Sequence, residues 1–240
     1  LPQQHVAAVA DMGGMAIPVV SKALLGYDPV TRAWEEVQGQ GRPHPKPFRH
    51  TATLVPHRSQ IIFWGGFAWS SLARPPWVDD RPSNVCSVLT LGSWEWTQPR
   101  VAGGSPGFPI ARGSHSATLV GDAIICFGGV ATDEHAFERD LGDVFILDTA
   151  TWAYRAPQVG WAASGGAPAV RSAHSMHLVP RQYVDGGGAD VNADAEGGEA
   201  MLSLLLFGGR EFVPAATPDD DDEHRPRRDV HALMLLSRCA

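Results

Sequence analysis

Three cysteines in 240 residues, Cys86, Cys126 and Cys239, are too few and too scattered for a disulfide framework or a zinc ribbon. Such sparing use of cysteine fits a reducing compartment, so the expected location is cytoplasmic. No apolar run reaches the roughly 18 residues that a membrane-spanning helix needs, and no signal-peptide pattern is present. Basic charge is short: 19 Lys and Arg stand against 26 Asp and Glu, a formal charge of −7. With no cationic surplus to neutralise phosphates, neither nucleic acid nor an anionic membrane is the expected partner. Helical periodicity is missing too, since no stretch holds a 3.6-residue apolar spacing over three turns. Beginning at Leu1 inside an apolar phrase, the sequence reads as a fragment of something longer.

What the chain has is turns and repetition. It holds 26 Gly and 19 Pro with 44% apolar residues, enough for a core built from many short elements. Double glycines fall at Gly13-Gly14, Gly65-Gly66, Gly128-Gly129 and Gly208-Gly209. A histidine followed by Ser or Thr precedes the last three, at His50, His115 and His174. Tryptophans recur at Trp34, Trp94 and Trp152, spaced 60 and 58 residues apart. A recurrence of this length marks an array of like supersecondary units. "SHSATLV" alternates, while "AIICFGG" and "DVFILD" are short continuous apolar runs, the pattern of strands covered on both faces.

One unit reads His115-Ser116, an apolar run into Phe127-Gly128-Gly129, Gly142-Asp143-Val144, then Asp148-Thr149-Ala150-Thr151-Trp152. This resembles the kelch repeat, one four-stranded antiparallel blade of an all-β propeller. The resemblance implies about three and a half blades, or about fourteen strands, an arc of rings that run to 4–8 blades. Residues 1–43 make a partial blade, 44–99 and 108–160 complete blades, and 168–240 a partial blade. Residues 181–200, rich in Gly, Ala and Asp, cannot bury a core and are expected to be mobile. In this reading the double glycines and the three histidines are structural, and the tryptophans near the outer edge cover the gap between blades. Repetition of His50, His115 and His174 on different blades argues against a metal site, and no cofactor is expected.

Candidate binding residues follow. Arg112 and Arg171 each stand three residues before the repeat's histidine. The resemblance implies that such arginines line a central pocket and hold an acidic peptide through forked donors. The competing role is to tie blades together through backbone carbonyls. On the binding reading, alanine at both positions weakens a partner while folding survives. Arg49 is offset, directly before His50, with Pro47 in the matching place; Arg210 follows Gly208-Gly209 on the rim. Trp69, Trp77 and Trp161 lie in or beside loops, where aromatics can anchor an interface. The acidic run Asp219–Glu223 lacks the glycine spacing of a calcium loop and reads as solvated. No nucleophile elbow, phosphate loop or metalloprotease motif appears. The resemblance also admits copper and iron enzymes. Tyr27, Tyr154 and Tyr183 do not form a ligand set in sequence, and 133–143 lacks the order of an iron site. The expected function is therefore a non-catalytic scaffold that binds a protein or peptide, as adaptor or subunit of a larger assembly. The alternative is a propeller enzyme, a metal-dependent oxidase or a sugar-modifying type.

Overall fold

In the computed structural model the described residues are 11–12, 15–16, 24–45, 48–67, 82–104, 108–132, 138–157, 167–179, 202–213, 223–226 and 230–235. Two hairpins come first: β1 (Asp11–Met12) with β2 (Met15–Ala16), and β3 (Leu24–Asp28) with β4 (Ala33–Val37). The next strands are β5 (Gln40–Gly41), β6 (Thr51–Val55), β7 (Gln60–Trp64), β8 (Cys86–Thr90) and β9 (Glu95–Thr97). They form one sheet in the order β5-β9-β8-β7-β6, in which β5 lies parallel to β9 as its outer edge. Residues 40–41 thus join the second sheet, although the sequence boundary at 43 assigns them to the first.

The third sheet holds β10 (Ser116–Val120), β11 (Ala123–Phe127), β14 (Val144–Asp148) and β15 (Ala153–Arg155), paired in that order. Between its second and third strands stands a hairpin of β12 (Val130–Thr132) and β13 (Glu138–Asp140). The fourth sheet pairs β16 (Ser175–Val179), β17 (Leu202–Phe207) and β20 (Val230–Leu235). Its inserted hairpin is β18 (Arg210–Val213) with β19 (Glu223–Pro226). Among the described residues the only helical element is a 3-10 turn at Pro56–Arg58. The fold is the expected all-β blade stack.

The core lies between sheets, not within one. Strand β11 shows why its sequence is an unbroken apolar run: all five of its residues are buried. Ile124 and Cys126 face the second sheet and pack with Val55, Ile62, Trp64 and Val88. Ala123, Ile125 and Phe127 face the fourth and pack with Met176, Leu204 and Leu206. Side chains alternate along a strand, so two covered faces require apolar residues at every position. Cys86 and Cys126 are free and buried in the first of these layers; burial pushes the Cys86 thiol up to about 12 and raises that of Cys126. On the turn side, the Arg58 Nε and Nη2 atoms donate to Asp122 Oδ1, and Nη1 donates to the Thr149 carbonyl, pinning the second sheet to the third.

The turn between the third and fourth strands corrects the tryptophan register. Asp148 Oδ1 accepts the backbone N–H groups of Ala150 and Thr151, and Asp28 Oδ1 accepts that of Val30, as expected of an Asp-initiated turn. Each turn then passes through a left-handed residue, at Arg32, Trp94 and Trp152, with φ of 56°, 56° and 52°. Strand pairing is Tyr27 with Trp34, Leu89 with Trp96, and Leu147 with Tyr154. The equivalent strand residues are therefore Trp34, Trp96 and Tyr154, whereas Trp94 and Trp152 sit in the turn. Matching tryptophan to tryptophan mixed two positions, because "SWEW" carries one at each. Trp152 still packs, partly buried, on the layer between the second and third blades, but the strand residue that closes this gap is Tyr154, whose hydroxyl accepts a 2.8 Å hydrogen bond from Trp64 Nε1.

Candidate functional site

The recurrent phrase builds the junction between blades. His115 Nε2 lies 2.8 Å from Thr51 Oγ1 on the preceding blade, and His174 Nε2 lies 2.7 Å from Ser116 Oγ. Glycines make room for each ring. A Cβ on Gly65 would stand 2.6 Å from the Arg112 carbonyl and 2.9 Å from His115 Cε1. A Cβ on Gly129, at φ +98°, would meet the other side of the same histidine at 2.8 Å. These spacings admit no side chain. Gly128 and Gly209 hold His174 the same way. The second glycines also close the backbone across the junction: the Gly66 and Gly129 N–H groups donate to the carbonyls of Arg112 and Arg171. Burial, then the nearby Arg112 cation, depresses the His115 pKa to about 3. Burial, then Arg171, takes His174 to about 4. The Nδ1 atoms of both are buried with no partner among the described residues, so the less costly neutral form keeps its proton on Nε2.

Arg112 is fully buried. Its Nη1 and Nη2 fork onto Asp143 Oδ1 and Oδ2 at 2.6 and 2.7 Å. Nη1 also donates to the Gly128 carbonyl and Nε to that of Ile110. Arg171 is buried as completely, with Nη1 on the Gly208 carbonyl at 3.1 Å and Nε on Ala169. The expected pocket-lining role for these two meets a physical obstacle. Guanidinium groups with no exposed surface, bonded to the carbonyl of the first glycine of their own blade's pair, brace each blade from within. A partner would have to strip them from Asp143 and the carbonyls to reach them.

The second blade lacks both halves of this pair: Pro47 stands in sequence where the arginine would, and Val85 where Asp143 would. Another residue takes over the carbonyl. His44 Nε2 donates to Gly65 O at 2.8 Å, and its Nδ1 lies 3.0 Å from Ser87 Oγ. Burial depresses the His44 pKa to about 4. Sequence reasoning missed His44, because no other blade has a histidine at that offset; the only signal was the absence of arginine. His44→Ala should strand a buried acceptor, the Gly65 carbonyl, and a buried donor, the Ser87 hydroxyl, and cost about 1–3 kcal/mol in a urea titration. An unchanged midpoint would remove His44 from this role. Arg49, in the left-handed region at φ 57°, reaches the third blade's hairpin through Glu138 Oε1 at 3.1 Å and lies over the rings of Phe48 and Phe67.

After each glycine pair the chain bridges back to the residues before the histidine: Phe67 to Phe48, Val130 to Gly113, Arg210 to Ser172. The last bridge differs in chemistry. Ser172 and Arg210 exchange both backbone N–H to carbonyl bonds at 2.9 Å, which puts their side chains on one side. Ser172 is buried, and its Oγ has no partner among the described residues. The same holds of Arg210 Nε. A hydroxyl and a guanidinium N–H, adjacent and without acceptors, are donors suited to a carboxylate or other oxyanion. Arg210 was legible as a rim candidate; Ser172 was not. Trp69, Trp77, Trp161, Tyr183 and residues 181–200 lie outside the described residues, as does the acidic run up to 222. Among the described residues no group of three or more His, Cys, Asp or Glu is placed to hold a metal ion.

Comparison with known proteins supports this architecture. A family model described as the KLHDC2/KLHL20/DRC7 Kelch-repeats domain matches residues 9–197. Human Kelch domain-containing protein 3 is 27% identical over 191 residues, covering 78% of this chain and 40% of the relative. Acyl-CoA-binding domain-containing protein 5 of Arabidopsis thaliana is 30% identical over 151 residues, 60% of this chain and 20% of the relative. Tip elongation aberrant protein 1 of Schizosaccharomyces pombe is 27% identical over 145 residues, 60% of this chain and 11% of the relative. The chain thus spans less than half the length of each. Among solved structures, that of YjhT superposes with a TM-score of 0.51 at 13% identity, over 87% of this chain and 48% of that one, a likeness of fold.

Proposed function

The chain belongs to the kelch-repeat family, and from that premise we propose that it is a non-catalytic scaffold that binds a protein or peptide through its loop face. The observation that carries this reading is Arg210, half-buried on the rim of the fourth blade and left without an acceptor at Nε, with the buried Ser172 paired to it through the backbone. Elsewhere in the described structure the arginines that the repeat supplies are taken up by carboxylates or carbonyls: Arg112 by Asp143, Arg49 by Glu138, Arg171 by Gly208. A scaffold made rigid by its blade junctions can leave a few donors poised for a partner, because ordering them again on binding costs little. The ligand chemistry this suits is an acidic group, with the hairpins β12–β13 and β18–β19 beside it. A cytoplasmic location and membership of a larger assembly go with this reading.

The test is affinity capture from cells with mass spectrometry, comparing wild type with Arg210→Ala, Arg210→Lys and Ser172→Ala. Specific partners should fall at least about tenfold with Arg210→Ala, the loss of one charge-assisted pair. They should fall less with Arg210→Lys, which keeps the charge and loses the fork. Urea midpoints should stay near wild type. Partners that persist through Arg210→Ala, or no specific partner at all, would sink this assignment.

A further inference from the structure

We propose that the linkers between blades act as straps: each closes the outermost strand of the blade it is about to enter, and a released strap leaves that strand as an edge on which the same strand of a second copy pairs. The arrangement stands twice. Residues 40–41 leave the first hairpin and form β5, parallel to β9 on the outer edge of the second blade, with Gln40 opposite Glu95 and Gly41 opposite Trp96. The linker from the second blade to the third does the same in shorter form. There Ala102 bridges in parallel to Ala153, on the outermost strand of the third blade.

The hydrogen bonds of the two straps are equivalent. The Gln40 N–H donates to the Trp94 carbonyl and the Ala102 N–H to the Trp152 carbonyl, both at 2.8 Å. Those tryptophans hold the same left-handed place in their turns, at φ 56° and 52°. The Tyr154 N–H in turn donates to the Ala102 carbonyl at 2.8 Å. Glycine permits the close approach in both cases. A Cβ on Gly41, at φ +88°, would stand 2.7 Å from the Trp96 carbonyl, and one on Gly103, at φ +77°, would collide with that of Tyr154. Gly39 admits no side chain either, because the Trp96 indole nitrogen lies 2.7 Å from where its Cβ would be.

An uncovered outer strand presents unpaired N–H and C=O groups, a template for another extended chain. Strands β9 and β15 are three residues long, and each carries a strand-favouring aromatic, Trp96 and Tyr154. The straps meet the outward backbone groups of these strands with few bonds, at the margin of the blade. A segment held in that way opens at lower free energy than the blade itself, whose strand β11 is wholly buried. Opening therefore bares the edge while the core stays folded. Two copies with the same strap released lack the same partners, so antiparallel pairing of β15 with β15 satisfies both in one isologous contact.

Gly103→Ala in the 240-residue chain tests this against Gly92→Ala. Both substitutions put a side chain at positive φ, but a Cβ on Gly92 meets nothing within 4 Å, so only Gly103→Ala displaces a strap. Hydrogen exchange followed by NMR should show the Tyr154 amide exchanging at least about tenfold faster in Gly103→Ala, with the amides of β11 as slow as in wild type. Light scattering over a dilution series should give this variant a mass that rises with concentration above that of wild type, and give Gly92→Ala the wild-type mass. Where Gly103→Ala fails to fold, or β11 exchanges faster as well, the same readings are taken on Ala102→Pro, which removes only the N–H that the strap donates to Trp152. Wild-type exchange at Tyr154, a freed amide with no gain in mass, or equal association of the Gly92 variant would overturn the strap.

Discussion

Alanine in place of Arg112 is expected to lower the free energy of unfolding by about 2–4 kcal/mol, chiefly through the two buried carbonyls it strands. The reason is asymmetry. The guanidinium has no exposed surface and is held by the Asp143 carboxylate and by the carbonyls of Gly128 and Ile110. Removing it leaves a carboxylate without its cation and two carbonyls without donors, beside the Phe145 ring over which the guanidinium lies. Asp143→Ala leaves the complementary fault, a buried cation with half its partners. The double variant should therefore lose clearly less than the sum of the single ones, the signature of two residues acting as a pair. Arg112→Lys should recover only part, because an ammonium cannot fork onto both carboxylate oxygens. Urea unfolding followed by circular dichroism reads all four proteins. A midpoint for Arg112→Ala equal to wild type would show the arginine free to serve a partner, as the repeat resemblance alone suggested.

Acidification should destabilise the blade junctions well before the carboxylates titrate. His44, His115 and His174 are neutral when folded, with pKa values held to about 4, 3 and 4 by burial first. In the unfolded chain a histidine takes up its proton near pH 6.5. Stability from these groups is fully present above that value. It falls as pH drops from about 6.5 towards 4, because only the unfolded state binds protons there. Three such histidines give a limiting slope of about 4 kcal/mol per pH unit. The charged groups facing them act in the same direction, Arg112 on His115 and Arg171 on His174, whereas at His44 the Gly65 carbonyl opposes burial and outweighs His50. Asp28, Asp122 and Asp148 have lowered values, so their contribution is lost only as pH falls below the usual carboxylate range. The window from 6.5 to 4.5 thus isolates the histidines. Urea midpoints across it should fall steeply for wild type and less steeply for His115→Gln. A flat wild-type profile would mean that the junction histidines are protonated without penalty.

The sequence alone carried the architecture, because an element covered on both faces must be apolar at every position. "AIICF" and "VFILD" could be read as strands between two sheets, and so they are. The glycine pairs were legible for a similar reason, since a histidine ring or a carbonyl stands where their Cβ would be. Residue type was a poor guide where two adjacent positions accept the same type. Trp94 and Trp96 both fit a tryptophan, and only strand pairing separates the turn from the blade edge. The binding reading of Arg112 and Arg171 had the same weakness. An arginine before a repeated histidine suits a pocket or a clamp equally well until the position of Asp143 is known.

Local pattern, turn chemistry and repeat period are properties of neighbouring residues, so the sequence by itself determined that this chain makes stacked four-stranded blades. Which side chains satisfy one another is a property of residues far apart in the chain. His44 reaches Gly65, Arg112 reaches Asp143 and Ser116 reaches His174, over 21, 31 and 58 residues. Only the tertiary structure decided these partners. By the same accounting it left Ser172 and Arg210 with donors unmet: a hydrogen bond is settled by where two atoms come to rest, and no spacing in the sequence encodes that.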